Sequence, residues 1–182
     1  LTAFKRWYSQ AGTPRVHAVG TYAEGSQTFT LELRQSCAPT PGQPVKDPFV
    51  IPVSVGLVGQ DGTAIPLTLS NDDPDAPVMT TRTLVLNEPS ERFVFTNVTQ
   101  PVVPSLLRGF SAPVVLDIDL SDLQWLHLLA HDSDPFNQWE GVRTLVTEEI
   151  LKLSEGSQAR PDSELVGAIA AAPYVGGCGY PS

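Results

Sequence analysis

Basic residues are scarce in this sequence and nowhere gather. Eleven Lys and Arg stand against 20 Asp and Glu in 182 residues, a net charge of −9. A nucleic-acid binder carries a basic patch or stripe, so no nucleic-acid partner is expected. The one Lys5-Arg6 pair, beside Trp7-Tyr8, reads as a packing element. Long apolar runs are missing too. No stretch approaches the roughly 18 apolar residues that a membrane-spanning helix requires, so no membrane partner is expected. The first residues lack the apolar core and small-residue cleavage site of a signal peptide. Cysteine is limited to Cys37 and Cys178. A bridge between them is arithmetically possible, but a disulfide-built secreted domain is shorter and richer in cysteine. Both therefore read as free thiols, which points to a reducing compartment, the cytoplasm.

What is present is an ordinary core with dense punctuation. Apolar residues make up 41 % and charged residues 17 %, with 17 Pro and 14 Gly. Turn formers at that density favour many short elements over a long bundle. Phe4, Trp7 and Tyr8 fall at helical spacing, and Gly12 with Pro14 gives a helix-end signature. Residues 1–13 therefore read as the tail of a helix whose body lies upstream, with aromatics exposed unless something packs on them.

From residue 14 to 119 the period is two. Val16, Ala18, Gly20 and Tyr22 alternate with His17 and Thr21, Phe29, Leu31 and Leu33 alternate with Thr30, Glu32 and Arg34, and Val53, Val55 and Leu57 recur at the same period. Glu24 to Gln27 offers a tight turn. Asp61-Gly62 marks a hairpin, with Ile65, Leu67 and Leu69 as the returning strand. Leu84 and Leu86, Phe93 and Phe95, and Val114, Leu116 and Ile118 complete about seven short strands, an immunoglobulin-like antiparallel β-sandwich.

From residue 120 to 182 the period changes to 3.6. Ser121 with Gln124 forms a capping box, and Leu123, Leu126 and Leu129 mark one helix face. Asp134 and Pro135 suit the N-cap and first turn of a second helix. Its apolar stripe is Phe136, Trp139, Val142, Leu145, Val146, Ile150 and Leu153. A third helix is expected from about Asp162. Three such helices do not close a core alone, so they are expected to pack on the sandwich, on further helices, or both. The chain reads as cut from something longer at both ends.

Residue types that carry chemistry are present without the partners that chemistry needs. His127 and His131, at i and i+4, share a helix face as zinc ligands do. The general base of H-E-x-x-H is absent, because Leu128 holds its place, and zinc needs at least a third ligand. The competing reading is two polar residues near a helix C-terminus. Asp72, Asp73 and Asp75 lack the ligand spacing of a calcium loop and read as a solvated loop. Cys37 has no evident His partner and reads as inert. No G-x-S-x-G elbow, G-x-G-x-x-G or P-loop pattern occurs.

Four segments, in order, carry a resemblance. Phe4-Lys5-Arg6-Trp7-Tyr8-Ser9-Gln10-Ala11-Gly12-Thr13-Pro14 resembles the passage from catalytic domain to β-sandwich in bacterial-type aminopeptidase N. Pro39-Thr40-Pro41-Gly42-Gln43-Pro44, with Pro48-Phe49-Val50-Ile51-Pro52, is similar to the loop and strand that follow there. Pro104-Ser105-Leu106-Leu107-Arg108-Gly109-Phe110-Ser111-Ala112-Pro113-Val114 is similar to that family's last sandwich segment. His131-Asp132-Ser133-Asp134-Pro135-Phe136-Asn137-Gln138-Trp139-Glu140 resembles the start of its C-terminal helical domain. The resemblance covers residues 4 to about 155 and fades beyond 160.

The resemblance implies a parent enzyme that removes N-terminal amino acids, alanine among those preferred. Its zinc is held by H-E-x-x-H plus a later Glu, and a G-A-M-E-N motif grips the substrate amine. Neither motif occurs in these 182 residues. The resemblance therefore assigns no catalytic residue, metal ligand or cofactor to this chain, and leaves zinc to the parent. The implied partners are the upstream catalytic domain and the downstream helical domain of the same polypeptide. The implied interdomain contacts are Phe4, Trp7, Tyr8, Arg108 and Phe110. The alternative is a free-standing immunoglobulin-like binding module that uses the Pro-rich loop 38–48.

Overall fold

The computed structural model describes residues 3–73 and 75–154, together with Val166, Gly167 and Ile169. The side chain of Leu153, the start of a helix near Asp162 and Cys178 lie outside the described residues. Among the described residues, eight strands form two sheets. Strands β1 (Arg15–Ala23) and β2 (Thr28–Ser36) arise where alternation predicts them, joined by a 3₁₀ turn that ends on Gln27 at φ 50°. They are followed by β3 (Ile51–Gly59), β4 (Thr68–Leu69), β5 (Arg82–Leu86), β6 (Ser90–Thr96), β7 (Val102–Leu106) and β8 (Val115–Ile118). One sheet has the order β4-β6-β2-β1-β8 and the other β5-β3-β7. Pairing is antiparallel except between β1 and β8, which run parallel.

The sheets face each other across a core built from one side of each strand. Val16, Ala18, Phe29, Leu31, Leu33 and Phe95 come from the larger sheet, against Ile51, Val53, Val55, Leu57, Leu84 and Leu86 from the smaller. Each Val, Leu, Ile or Phe among them is worth roughly 1.5–3 kcal/mol when removed from water. β3 departs from alternation along its length. Its first half alternates, whereas Val55 to Gly59 are all buried. A third layer causes this. Helices α2 (Asp122–His131) and α3 (Pro135–Ser154) cover the outer face of the smaller sheet. Val58 packs there with Trp125, Leu128 and Leu145 in a second apolar cluster. The helices do rest on the sandwich.

Helix α1 (Arg6–Ser9) has four residues and ends before Gly12. Several expectations need correction. Ile65 to Leu69 is not a simple hairpin partner. Ile65 N still bonds Leu57 O at 2.9 Å, but the chain then crosses, and β4 pairs with β6 in the other sheet. β7 is a strand the alternation does not announce; it tolerates Pro104 because it is an edge, bonded among the described residues only to β3. On α2 the buried residues are Trp125, Leu128 and Leu129, while Leu123 is 77 % exposed. On α3 the stripe divides. Asn137, Gly141 and Leu145 face inward, and Trp139 and Ile150 are exposed. The capping predictions do appear. Ser121 and Gln124 form the reciprocal box, and Asp134 Oδ1 accepts from Asn137 N at 3.0 Å.

Candidate functional site at the joint between sandwich and helices

The turn after β7 is where the two layers are locked. Leu107, Gly109 and Phe110 all hold left-handed φ, at 56°, 62° and 55°. Such a conformation costs a non-glycine residue about 1 kcal/mol or more, and here many partners hold it. Arg108 turns inward and lies across Gly56 of β3, where a Cβ would come 2.9 Å from Cζ and collide with Nη1. Arg108 Nη1 donates to Thr81 Oγ1 at 2.6 Å, and Nη2 donates to Asp132 Oδ1 at 2.8 Å and Ser133 Oγ at 2.6 Å. One guanidinium thus bridges the smaller sheet, the β4–β5 loop and the link between α2 and α3. Its planar fork suits this task better than a lysine ammonium would.

The link replies with its own side chains. Asp134 caps α3 through Oδ1 and accepts from Gly109 N through Oδ2 at 2.8 Å. Asn137 Nδ2 donates to Ser105 Oγ at 3.0 Å, both residues being buried. Gln138 Nε2 donates to Asp132 O at 2.7 Å. Asp132 Oδ2 is buried without a hydrogen-bond partner among the described residues. Phe110 stays 56 % exposed, its ring 5.4 Å from that of Phe136.

A second contact involves the two histidines. The hairpin after β3 turns through Gly62 at φ 81°, with Gly62 N bonded to Gly59 O. His131 lies against Gly62 so closely that a Cβ would sit 2.6 Å from Nδ1. His127 Nε2 is 2.8 Å from Gly59 O, and the two rings are 4.7 Å apart. The structure brings the pair together but commits it to the hairpin tip. Among the described residues no group of three or more His, Cys, Asp or Glu side chains could hold a metal ion. These residues do not fit a zinc centre.

The N-terminal segment is bound to the sandwich by polar contacts. Trp7, expected to be exposed, packs against Phe49 with centroids 4.8 Å apart and the rings tilted by 54°, and donates from Nε1 to Val50 O at 2.8 Å. Gln10 and Asp47 exchange two hydrogen bonds, while Gln43 accepts from Ala11 N and donates to Ser9 O. Lys46 Nζ donates to Ala11 O at 2.9 Å. The Pro-rich loop 38–48 therefore uses much of its polar surface on this segment. Phe4 and Tyr8 remain 49 % and 85 % exposed and meet edge-on at 6.5 Å.

The acidic loop is not simply solvated. Arg82 donates to both oxygens of Asp72, and Leu69 N donates to Oδ2 at 2.8 Å. The Arg82 bond first, and then the backbone bond, hold the Asp72 carboxyl below the ordinary carboxylate range. Asp61 is lowered likewise, chiefly by the backbone N–H of Thr63 and then its hydroxyl. Cys37 is a half-buried free thiol. Its Sγ is 3.8 Å from Ala11 O.

The arrangement around Arg108 can fix the angle between two layers. Nothing in the local sequence marks Asp132, Asp134, Asn137 and Gly56 as contact residues of this joint. The available signal was the lone arginine in the apolar run Leu106-Leu107-Arg108, because a buried guanidinium calls for an acid.

Comparison with known proteins covers both layers. Residues 12–119 match the family described as a domain of unknown function (DUF3458) with an Ig-like fold. Residues 122–172 match the family described as a domain of unknown function (DUF3458_C) with ARM repeats. Aminopeptidase N of Escherichia coli is 35 % identical over 162 residues, 88 % of this chain and 18 % of its own length. Aminopeptidase N of Haemophilus influenzae is 31 % identical over 173 residues, 93 % of this chain and 19 % of its own. The chain therefore spans less than a fifth of the curated relatives it matches. The crystal structure of Legionella pneumophila aminopeptidase A, in complex with aspartic acid, superposes with TM-score 0.73 at 22 % identity, over 94 % of this chain and 18 % of that one; this is a likeness of fold. The first match runs through every strand of both sheets, and the chain belongs to the DUF3458 Ig-like family.

Proposed function

We propose that this chain is a non-catalytic connector within a zinc-dependent aminopeptidase. In this reading residues 14–119 form the sandwich domain and residues 120–182 open a helical domain. An upstream catalytic domain packs on Phe4 and Tyr8, with Trp7 anchoring the segment that presents them. Arg108 and Phe110 hold the sandwich to the helices. The parent enzyme holds the zinc, removes N-terminal residues with alanine among those preferred, and works in the cytoplasm, where the free Cys37 thiol is stable.

The Arg108 clasp carries the proposal. It commits buried charge to orienting two layers, and the relatives matching both layers bear the name aminopeptidase N. A direct assay tests it. The chain, incubated with alanine p-nitroanilide with and without added zinc, should release no p-nitroaniline above buffer. Zinc-dependent turnover at enzyme-like rates, about 1 s⁻¹ or more, would end the connector reading.

A further inference from the structure

Strand β8 lies at the end of the larger sheet and, among the described residues, is bonded on one side only, by β1. Val115 N donates to Pro14 O at 2.9 Å. That bond sets the parity of the parallel ladder. Val115 and Asp117 aim N–H and C=O at β1, and Leu116 and Ile118 aim theirs the other way. On that side lies a groove of about 560 Å³, with α3 as its opposite wall. Apolar side chains including Leu106 and Phe136 line it.

Its rim is acidic. Among the described residues, Asp117, Asp119, Glu140 and Glu148 line it with a single basic side chain, Arg143. Arg143 is committed to Glu140, with Nη2 2.6 Å from Oε2. An open strand edge is a template for another strand, and β8 carries neither Lys nor Pro to blunt it. Negative charge beside that edge selects a positively charged partner.

We infer that the groove between β8 and α3 receives an extended peptide segment, apolar residues alternating with Lys or Arg, that adds to β8 as the sixth strand of the larger sheet. Main-chain bonds to Leu116 and Ile118 supply register, as in other strand additions. Side chains on one face enter the groove, and basic ones meet Asp119 and Glu148. The inference does not depend on the connector reading.

A fluorescein-labelled octapeptide alternating Val and Lys provides the probe, read by fluorescence anisotropy against the 182-residue chain. Saturable binding is expected. It should weaken about tenfold or more when alternate backbone nitrogens are methylated, and similarly when Glu replaces Lys. The surface variant Asp119→Asn with Glu148→Gln should weaken binding several-fold while leaving the thermal midpoint unchanged. Equal affinity for the methylated peptide would reduce the contact to charge alone and overturn strand addition. Absence of saturable binding, or binding indifferent to the double variant, would overturn it as well. Self-association in sedimentation equilibrium that excludes the peptide would assign the groove to a second copy and overturn the inference as well.

Discussion

Arg108 and Asp132 stand 24 positions apart, and their side chains meet at 2.8 Å with 7 % and 0 % of their surface exposed. Burying two charges is expensive, and Coulomb attraction offsets it only when geometry and extra hydrogen bonds are good. Here the guanidinium has Thr81 and Ser133 as further partners, while one carboxylate oxygen has none. The pair is thus better placed to specify one arrangement of layers than to add net stability. Arg108→Ala should destabilise the chain by about 3–5 kcal/mol, because Asp132 is left charged and buried. Arg108→Met combined with Asp132→Leu should recover most of that loss. Urea midpoints of the two variants check this; a double variant as unstable as the single would refute it.

The position under the arginine is as restrictive as the pair. A Cβ on Gly56 would collide with Arg108 Nη1. Gly56→Ala should therefore cost about 1–3 kcal/mol by displacing the side chain. In the Arg108→Ala background the same change should cost much less, since the obstacle is gone. A double-mutant cycle on denaturation free energies measures this coupling, and additive losses would show that the close approach is not what makes glycine necessary.

Asp134 serves two elements with one carboxylate. Its loss removes the cap of α3 and the acceptor for Gly109 N, in a turn that holds left-handed backbone. A cap alone is worth about 1 kcal/mol. Asp134→Ala should cost more than Ser121→Ala, which removes a cap on α2 and nothing else of this kind. Thermal melts of the two single variants decide the order.

Much of the sandwich was legible because alternation reports a sheet with one wet face, as in Phe29, Leu31 and Leu33. The signal failed where a second layer buries both faces. Val55 to Gly59 reads as ambiguous until α2 and α3 are laid over it, and β7 hides behind Pro104. On α2, Leu123, Leu126 and Leu129 satisfy helical spacing, yet Trp125 and Leu128 are buried, because the position of the smaller sheet decides which face is inside. At the joint, Asp134 was legible as a cap from its own neighbourhood. Its bond to Gly109, and the bond of Arg108 to Asp132, link distant segments, and local pattern carries no trace of which acid will meet which base.

Two aspartates, one in the acidic loop and one in the hairpin after β3, give the chain a predictable response to acid. Asp72 is held by Arg82 and by Leu69 N, and Asp61 by the backbone and hydroxyl of Thr63, so both carboxyls titrate lower folded than unfolded. For such a group the unfolded chain binds the proton first. Its contribution is complete above the unfolded value, near 3.9, and is lost as pH falls through the folded one. Stability should thus be insensitive to these groups near neutrality and should decline below about pH 4. Asp72→Asn removes one of the two sources. The variant should be less stable than the parent chain at pH 7, and the gap between them should narrow as the pH falls from about 4 to about 2.5. Urea midpoints across that range provide the measurement. Parallel losses in the two proteins would mean that the bonds Asp72 makes to Arg82 and Leu69 do not set its affinity for the proton.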